Sequence, residues 1–293
     1  MTATQNDPFA ELRFSVRLGT VAYRTEQGIR HDTKHLGAIA WRDDTGAPLA
    51  LVGPAQTVVQ PEVSVGVFEQ LVARGHILPH AVRAYAWAGG ARIAIIGETG
   101  KEGTVKTRRG EQPIRHRLFL YDRFDGTASL RVGSAEYVVV CSNGMVRLQH
   151  STRARLRHTK SINERFADVV IALRRELDGF EQQIAVAQKL ADSPLNDTGF
   201  KAILDEWFPR DENGERSVRA QNQLDRVERI YHTAPGADPG SLWGAYQAAT
   251  YWLTHERGRE SSRDEQNLVG VGADVNREIL SGLVARAERA AAL

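Results

Sequence analysis

A run of positive charge without an intervening acid is the feature of this sequence that most directly suggests chemistry. Residues 147–160 contain no aspartate or glutamate and five basic side chains: Arg147, Arg153, Arg155, Arg157 and Lys160. The run leads to Ser161, which with Glu164 fits a capping box at the start of a helix. Free N–H groups and the helix dipole favour negative charge there. The segment therefore predicts an anion site, with phosphate as the leading candidate; the alternative is a solvated basic loop.

A second set of cations alternates with aromatic rings on a predicted strand at residues 114–124. Side chains alternate between the faces of a strand, so Arg115, Arg117, Phe119 and Tyr121 share one face. Cations that follow phosphates and rings that stack on bases are typical of proteins that hold single-stranded nucleic acid. The alternative is that the two rings pack beneath a neighbouring element.

Motifs for catalysis or metal binding are absent from the sequence, which has no P-loop, no dinucleotide-binding glycine pattern and no zincin helix. His31 and His35 flank Asp32 at a spacing that suits a metal on a helix, but nearby glycines favour exposed loop histidines. Asp122 and Asp125 flank a turn, where aspartate is common, and a two-metal nuclease needs more clustered carboxylates. We expect no metal, no cofactor and no catalytic residue.

The composition is that of an ordinary globular protein of one large domain or two small ones. Apolar residues make up 42% of the 293 residues, charged residues 25%, and the net charge is +2. Any nucleic-acid binding must therefore depend on local clusters of charge. The single cysteine, Cys141, is expected to be a buried packing residue in a reducing cytoplasm. Neither a signal peptide nor an apolar run long enough to span a membrane is expected.

Turn signals and periodicity predict an α+β fold. A Gly-Gly turn joins predicted strands at 82–87 and 92–96, and Asp125-Gly126 joins strands at 114–124 and 127–132. A polar segment at 97–112 is expected to be a flexible loop that adds a cationic wall of Lys101, Lys106, Arg108 and Arg109.

A strand at 137–141 completes the predicted antiparallel meander. Apolar residues at spacings of three and four from Ile162 to Leu190 then predict one long helix that covers a face of the sheet. These elements define a predicted core at 11–192. The remainder, 193–293, is expected to be helical, with helices at 200–207, 217–231, 241–256 and 274–292.

Several of these residues resemble a known family. The turn Asp125-Gly126-Thr127, the strand end Cys141-Ser142-Asn143-Gly144 and the segment Arg157-His158-Thr159 are similar to the phage/plasmid-like family of domain of unknown function 932. The helix that contains Trp243-Gly244 and Gln247 is similar to its Trp-Gly-Xaa-Xaa-Asn-Ala-Val-Thr block. The resemblance covers about residues 50–256. It departs at Gly144-Met145, where the family often has Thr-Leu, and at Gln247, where it often has Asn.

This resemblance implies a phage or mobile-element context and no particular function. A weaker, fold-level resemblance is to Rad52-like single-strand annealing proteins, whose core is a hairpin, a further strand and a long helix. Proteins of that class form rings or filaments that hold DNA in a basic groove. The resemblance implies a homo-oligomer.

The expected function is non-catalytic binding of single-stranded DNA, with annealing in the recombination or replication of a mobile element. The expected nucleic-acid-binding residues are Arg115, Arg117, Phe119, Tyr121, Arg147, Arg153, Arg155, Arg157, His158 and Lys160. Two alternatives remain open, a metal-dependent nuclease and a non-catalytic accessory factor that binds proteins. No membrane partner is expected.

Overall fold

The computed structural model describes residues 7–32, 37–127, 129–138, 143–146, 155–156 and 166–292. Within these ranges the chain is an α+β protein with antiparallel sheets and a helical C-terminal region, which confirms the predicted fold class.

The first strands form two small antiparallel sheets. The five strands are β1 (Val16–Thr20), β2 (Ala22–Arg24), β3 (Arg30–Asp32), β4 (Ala38–Arg42) and β5 (Pro48–Val52). One sheet has the order β1-β4-β5, and β2 pairs with β3.

The largest sheet is a meander. Its strands are β6 (Val82–Trp87), β7 (Arg92–Thr107), β8 (Gly110–Arg123), β9 (Leu130–Val138), β10 (Asn143–Val146) and β11 (Arg155–Leu156). The order is β10-β9-β8-β7-β6, so successive strands are neighbours, and β11 also pairs with β9. The predicted Gly-Gly and Asp-Gly hairpins both occur, with positive φ at Gly89 and Gly126.

Helices follow the sheet, except for one that precedes it. They are α1 (Pro61–Ala73), α2 (Phe166–Asp178), α3 (Phe180–Asp192), α4 (Asp197–Trp207), α5 (Val218–Thr233), α6 (Leu242–Tyr251), α7 (Glu260–Val269) and α8 (Val271–Ala291). A π-helical turn, Trp252–Glu256, extends α6. All four helices predicted in the C-terminal region are present, and α7 was not predicted.

The chain divides into two compact units. Unit 1 comprises Met1–Gly100, Arg117–Ser134 and His150–Leu177, and unit 2 comprises Lys101–His116, Ala135–Gln149 and Asp178–Leu293. This division does not follow the boundary at residue 192 that composition suggests. The reason is the length of β7 and β8, whose hairpin end belongs to the same unit as the C-terminal helices.

The core of unit 1 lies where α1 and α2 pack on the strands. Its buried side chains include Phe68, Leu71, Ile93, Ile95, Leu118, Leu120, Val132, Val169 and Leu173. A buried hydrogen bond from the Ser134 hydroxyl of β9 to the Glu176 carboxylate of α2, 2.7 Å long, accompanies this packing.

The core of unit 2 joins the hairpin end to the helices. Val105 of β7 and Ile114 of β8 are buried among side chains of α3, α4, α5, α6 and α8. The rings of Phe200 and Tyr231 stack there, with centroids 3.8 Å apart.

The predicted long helix is two helices, α2 and α3, with Gly179 between them. Gly179 has φ −84° and ψ −3° and is the N-cap of α3. The apolar positions are as predicted, because Val169 and Leu173 are buried on one side of the break and Phe180 and Leu190 on the other. They belong to two different cores, however. Periodicity identifies the apolar face of a helix but not the core into which it packs, so the prediction of one continuous helix was wrong.

The prediction of a flexible loop at 97–112 was also wrong. These residues form the ends of β7 and β8 and the turn at Arg108–Arg109. The turn is closed by the Thr107 hydroxyl, which donates to the Gly110 carbonyl at 2.7 Å and accepts from the Arg109 N–H at 3.2 Å. Most side chains of residues 97–112 are exposed, and this accounts for the polar composition of the segment.

Gly244 is fixed by the cap of helix α6. The Ser241 hydroxyl accepts from the Gly244 N–H at 3.0 Å and donates to the Asp238 carboxylate at 2.7 Å. This arrangement brings the Asp238 carbonyl against the α-carbon of Gly244, and a Cβ there would overlap with it. The first turn of α6 therefore requires glycine at this position.

We expect Gly244→Ala to lower the free energy of unfolding by about 2 kcal/mol or more, because overpacking against backbone cannot relax easily. Thermal unfolding measures this. Gly282→Ala is the matched control: Gly282 lies in α8 with no atom within 4 Å of its Cβ position. The control should be neutral or stabilising by up to about 1 kcal/mol. Equal melting temperatures for wild type and Gly244→Ala would contradict this account.

Candidate nucleic-acid interface

The two arginines predicted on β8 each have an anionic neighbour on β7. Arg115 Nε donates to Glu102 Oε2 at 2.9 Å, and Arg117 Nη2 donates to Glu98 Oε1 at 2.9 Å. Both glutamates lie in the segment at 97–112 that the sequence predicted to be a flexible loop. A phosphate bound at either arginine would have to compete with these carboxylates, so this face is a weaker phosphate site than expected.

The two aromatic rings of the predicted face are buried. Phe119 is 3% and Tyr121 2% exposed. The Phe119 ring packs over Gly133 of β9, and the Tyr121 ring tilts against Trp87, with centroids 6.4 Å apart. Neither ring can stack on a base in this arrangement, so the predicted stacking role is corrected. Alternation assumes one solvated face, but here Leu118 and Leu120 on the opposite face are buried as well.

Only one basic residue of the run at 147–160 is in a described element. Arg155 lies in β11, where Arg155 and Leu156 pair with Arg131 and Leu130 of β9. The backbone of Arg155 and Leu156 is extended. The remaining predicted contacts lie outside the described residues: Arg147, Arg153, Arg157, His158 and Lys160. The capping box of Ser161 and Glu164, and Cys141, also lie outside them.

The predicted cationic wall lies at the hairpin end formed by β7 and β8. Lys106, Arg108 and Arg109 are exposed there. The hairpin is held to α3 because the Lys106 N–H donates to Gln188 Oε1 at 2.8 Å and Gln188 Nε2 donates to the Lys106 carbonyl at 3.0 Å.

The helix block that resembles the family motif is structural. Trp243 Nε1 donates to Gln112 Oε1 at 2.9 Å, and the Gln247 amide lies 2.5 Å from the same oxygen. Gln112 Nε2 donates in turn to the Gly236 carbonyl at 2.7 Å. All three side chains are buried. The longer glutamine at 247 is thus used inside unit 2, not in a surface site.

Carboxylates and histidines do not assemble into a metal site in the part of the chain that the structure describes. His31 and Asp32 lie in β3, so helical spacing does not apply to them, and His35 falls outside the described ranges. Asp125 is used in the turn: its carboxylate accepts from Arg123 Nη2 at 2.5 Å and from the Thr127 N–H at 3.0 Å.

The environment of Asp125 favours its charged form. Burial alone would raise the pKa of this carboxyl, but hydrogen bonds from Arg123 and Thr127 outweigh it and hold the pKa below its usual value. A carboxyl whose pKa is depressed by folding stabilises the protein above its unfolded pKa, near 4. This stability is lost as the pH falls through the folded pKa.

We expect Asp125→Asn to lower the free energy of unfolding by about 1 kcal/mol at pH 7, since the Arg123 pair is partly solvated. The difference from wild type should shrink as the pH falls below about 4. Melting temperatures measured from pH 3 to pH 7 test this. Asp178→Asn, which alters an exposed carboxylate, is the control and should change stability by less than about 0.5 kcal/mol. A pH-independent deficit in Asp125→Asn would contradict the electrostatic explanation.

The fold and these residues define a class: an α+β protein with cations on a strand meander and a helical C-terminal region. The family model described as Domain of unknown function (DUF932) matches residues 48–278, and the chain belongs to this family. No significant similarity to a curated protein or to a solved structure was found. Among the described residues, no helix has both the length and the apolar character needed to cross a membrane.

Proposed function

We propose that the protein binds single-stranded nucleic acid through phosphate contacts of the basic run at 147–160. The observation that carries the proposal is the composition of the run, which has five cations and no aspartate or glutamate. Such a cluster suits phosphate, because each phosphate that it neutralises releases counterions. Arg155 is the one of these cations that lies in a described element, where the backbone of β11 pairs with β9.

Strand pairing of the run supports the same ligand. Arg155 and Leu156, the part of the run that the structure describes, pair with Arg131 and Leu130 of β9. A basic segment in which some of the backbone is held by strand pairing loses less conformational freedom when it binds than a free tail does. The run contains no aspartate or glutamate, so no acid of the run itself competes with phosphate for its cations.

The proposal includes a finer part, which is annealing of complementary strands by a homo-oligomer in a phage or mobile element. Its support is the order of elements: the hairpin β8–β9, further short strands and then a helix. This order is similar to the Rad52-like core, and fold-level similarity supports only a hypothesis. Particle size measured with and without oligonucleotide, and the rate at which complementary strands pair, test this part.

The double variant Arg155→Ala plus Arg157→Ala tests the binding site. We expect affinity for a single-stranded oligonucleotide to fall by about 2 kcal/mol, or roughly 30-fold, because two charge-assisted contacts are lost. The salt dependence should become shallower, since fewer counterions are released. The melting temperature should barely change. Binding is measured by fluorescence anisotropy over a series of salt concentrations.

The control removes the same charge elsewhere. Lys201→Ala plus Arg289→Ala deletes two exposed cations of the helical region and should leave affinity nearly unchanged. Equal losses in both double variants would show that only net charge matters. Unchanged affinity in a folded Arg155/Arg157 variant would exclude this segment as the phosphate site. Cleavage of the oligonucleotide with Mg²⁺ or Mn²⁺ would contradict a purely binding function.

A further inference from the structure

An arginine-lined cavity lies among the helices of unit 2. Its walls come from α5, the π-helical turn, the loop at 257–259, α7 and the start of α8, and its volume is about 340 Å³. This volume lies within the range of small-molecule sites. The charged side chains in its lining are Arg219, Arg226, Arg257, Arg259, Arg263 and Glu256.

The one carboxylate among the described lining side chains already has a cationic neighbour outside the cavity. Glu256 Oε2 lies 3.5 Å from Arg229 Nη2, and Arg229 is not part of the lining. The negative charge of Glu256 is thus shared with a sixth arginine. The described lining therefore has five arginines and one carboxylate.

Arg257 is held in place by contacts that do not neutralise it. The backbone N–H of Arg257 donates to the Trp252 carbonyl at 2.8 Å. The guanidinium of Arg257 lies over the Trp252 ring, 5.4 Å from the centroid. Arg263 Nε donates to the Arg257 carbonyl at 3.3 Å and so fixes the loop. Among the carboxylates whose side chains the structure describes, none forms a hydrogen bond or ion pair with Arg257.

The electrostatic cost of this arrangement falls on Arg257. Burial lowers the pKa of its guanidinium, and the like charge of Arg219 lowers that pKa further. A partly buried cation beside another cation is unfavourable unless an anion joins them. An anion small enough to enter the cavity would offset this cost.

The geometry of the lining suits phosphate. Arg219, Gln223 and Arg226 line the cavity from one face of α5, since they are four and then three residues apart. Guanidinium groups match phosphate oxygens in pairs. Gln223 and Gln266 add amide groups to the wall. A space of about 340 Å³ with several cations is larger than one phosphate group requires.

We propose that this cavity binds a ligand carrying two or more phosphate charges, held by Arg219, Arg257 and Arg263. Two sources share this chemistry, a free nucleoside polyphosphate and the 5′-phosphorylated end of a nucleic-acid strand. The inference does not depend on the proposed function, because the cavity lies within unit 2 and includes no residue of the run at 147–160.

Titration of the full chain with tripolyphosphate tests the site, with calorimetry and the fluorescence of Trp252 as readouts. We expect saturable binding that is weakened at least tenfold by Arg257→Gln and by Arg219→Gln. Arg219 is exposed on α5, so its variant keeps the test valid if Arg257→Gln fails to fold. Arg289→Gln, an exposed arginine of α8 outside the cavity, is the matched control and should bind like wild type.

Two further readouts separate a binding role from a structural one. Without ligand, Arg257→Gln should melt no lower than wild type, because it removes repulsion with Arg219. The Arg155/Arg157 double variant should keep full tripolyphosphate binding.

Tighter binding of a nucleoside triphosphate than of tripolyphosphate identifies a free nucleotide as the ligand. Preference for a 5′-phosphorylated oligonucleotide over its 5′-hydroxyl form identifies a strand end.

Three results would overturn the proposal. The first is the absence of wild-type binding to tripolyphosphate, nucleoside triphosphate and 5′-phosphorylated oligonucleotide alike. The second is an equal loss in Arg289→Gln and Arg257→Gln, which would show non-specific attraction. The third is loss of tripolyphosphate binding in the Arg155/Arg157 variant, which would assign the anion to the basic run.

Discussion

The amide of Gln112 is the contact on which the arrangement of unit 2 depends. It accepts from the Trp243 indole at 2.9 Å and donates to the Gly236 carbonyl at 2.7 Å, so it links the hairpin end to α6 and to the turn before it. The side chains of Gln112 and Trp243 are both buried. A buried indole N–H without an acceptor would cost about 1–3 kcal/mol. The hairpin must therefore be in place for α6 to pack, and this explains why a polar, glycine-containing stretch forms regular strands.

Local sequence signals predicted helix starts and turns correctly where the hydrogen-bond partner lies only a few residues away in the chain. The Ser241 and Ser217 hydroxyls accept the N–H groups of Gly244 and Ala220, as helix caps should. Asp125-Gly126 makes its hairpin with contacts at most two residues away. The helix break at Gly179 could not be predicted in this way. It reflects which of two cores receives each apolar side chain, and that depends on residues far away in the chain.

The same distinction explains the candidate sites. The partners of Arg115 and Arg117 are thirteen and nineteen residues away, across a hairpin that was expected to be a loop. With that segment taken as a loop, the sequence gives no indication that either arginine has an acidic partner. The sequence does not predict the cavity, because Arg219 on α5 and Arg257 beyond α6 are far apart in the chain and each suggests an ordinary solvated charge. The close spacing of Arg257, Arg259 and Arg263 is the one signal in the sequence that could have indicated it. Only packing of the helices brings them to one space.

A net charge of +2 means that this chain has little long-range attraction for polyanions. Recognition of phosphate must then arise where cations are gathered locally, and the two proposed sites gather them differently. An exposed acid-free run acts through counterion release, so its binding weakens steeply with salt. Charges in a partly buried cavity are screened less by mobile ions. If both proposals hold, the cavity remains effective at ionic strengths at which the run has lost most of its affinity, so one chain can respond to two phosphate ligands under different conditions.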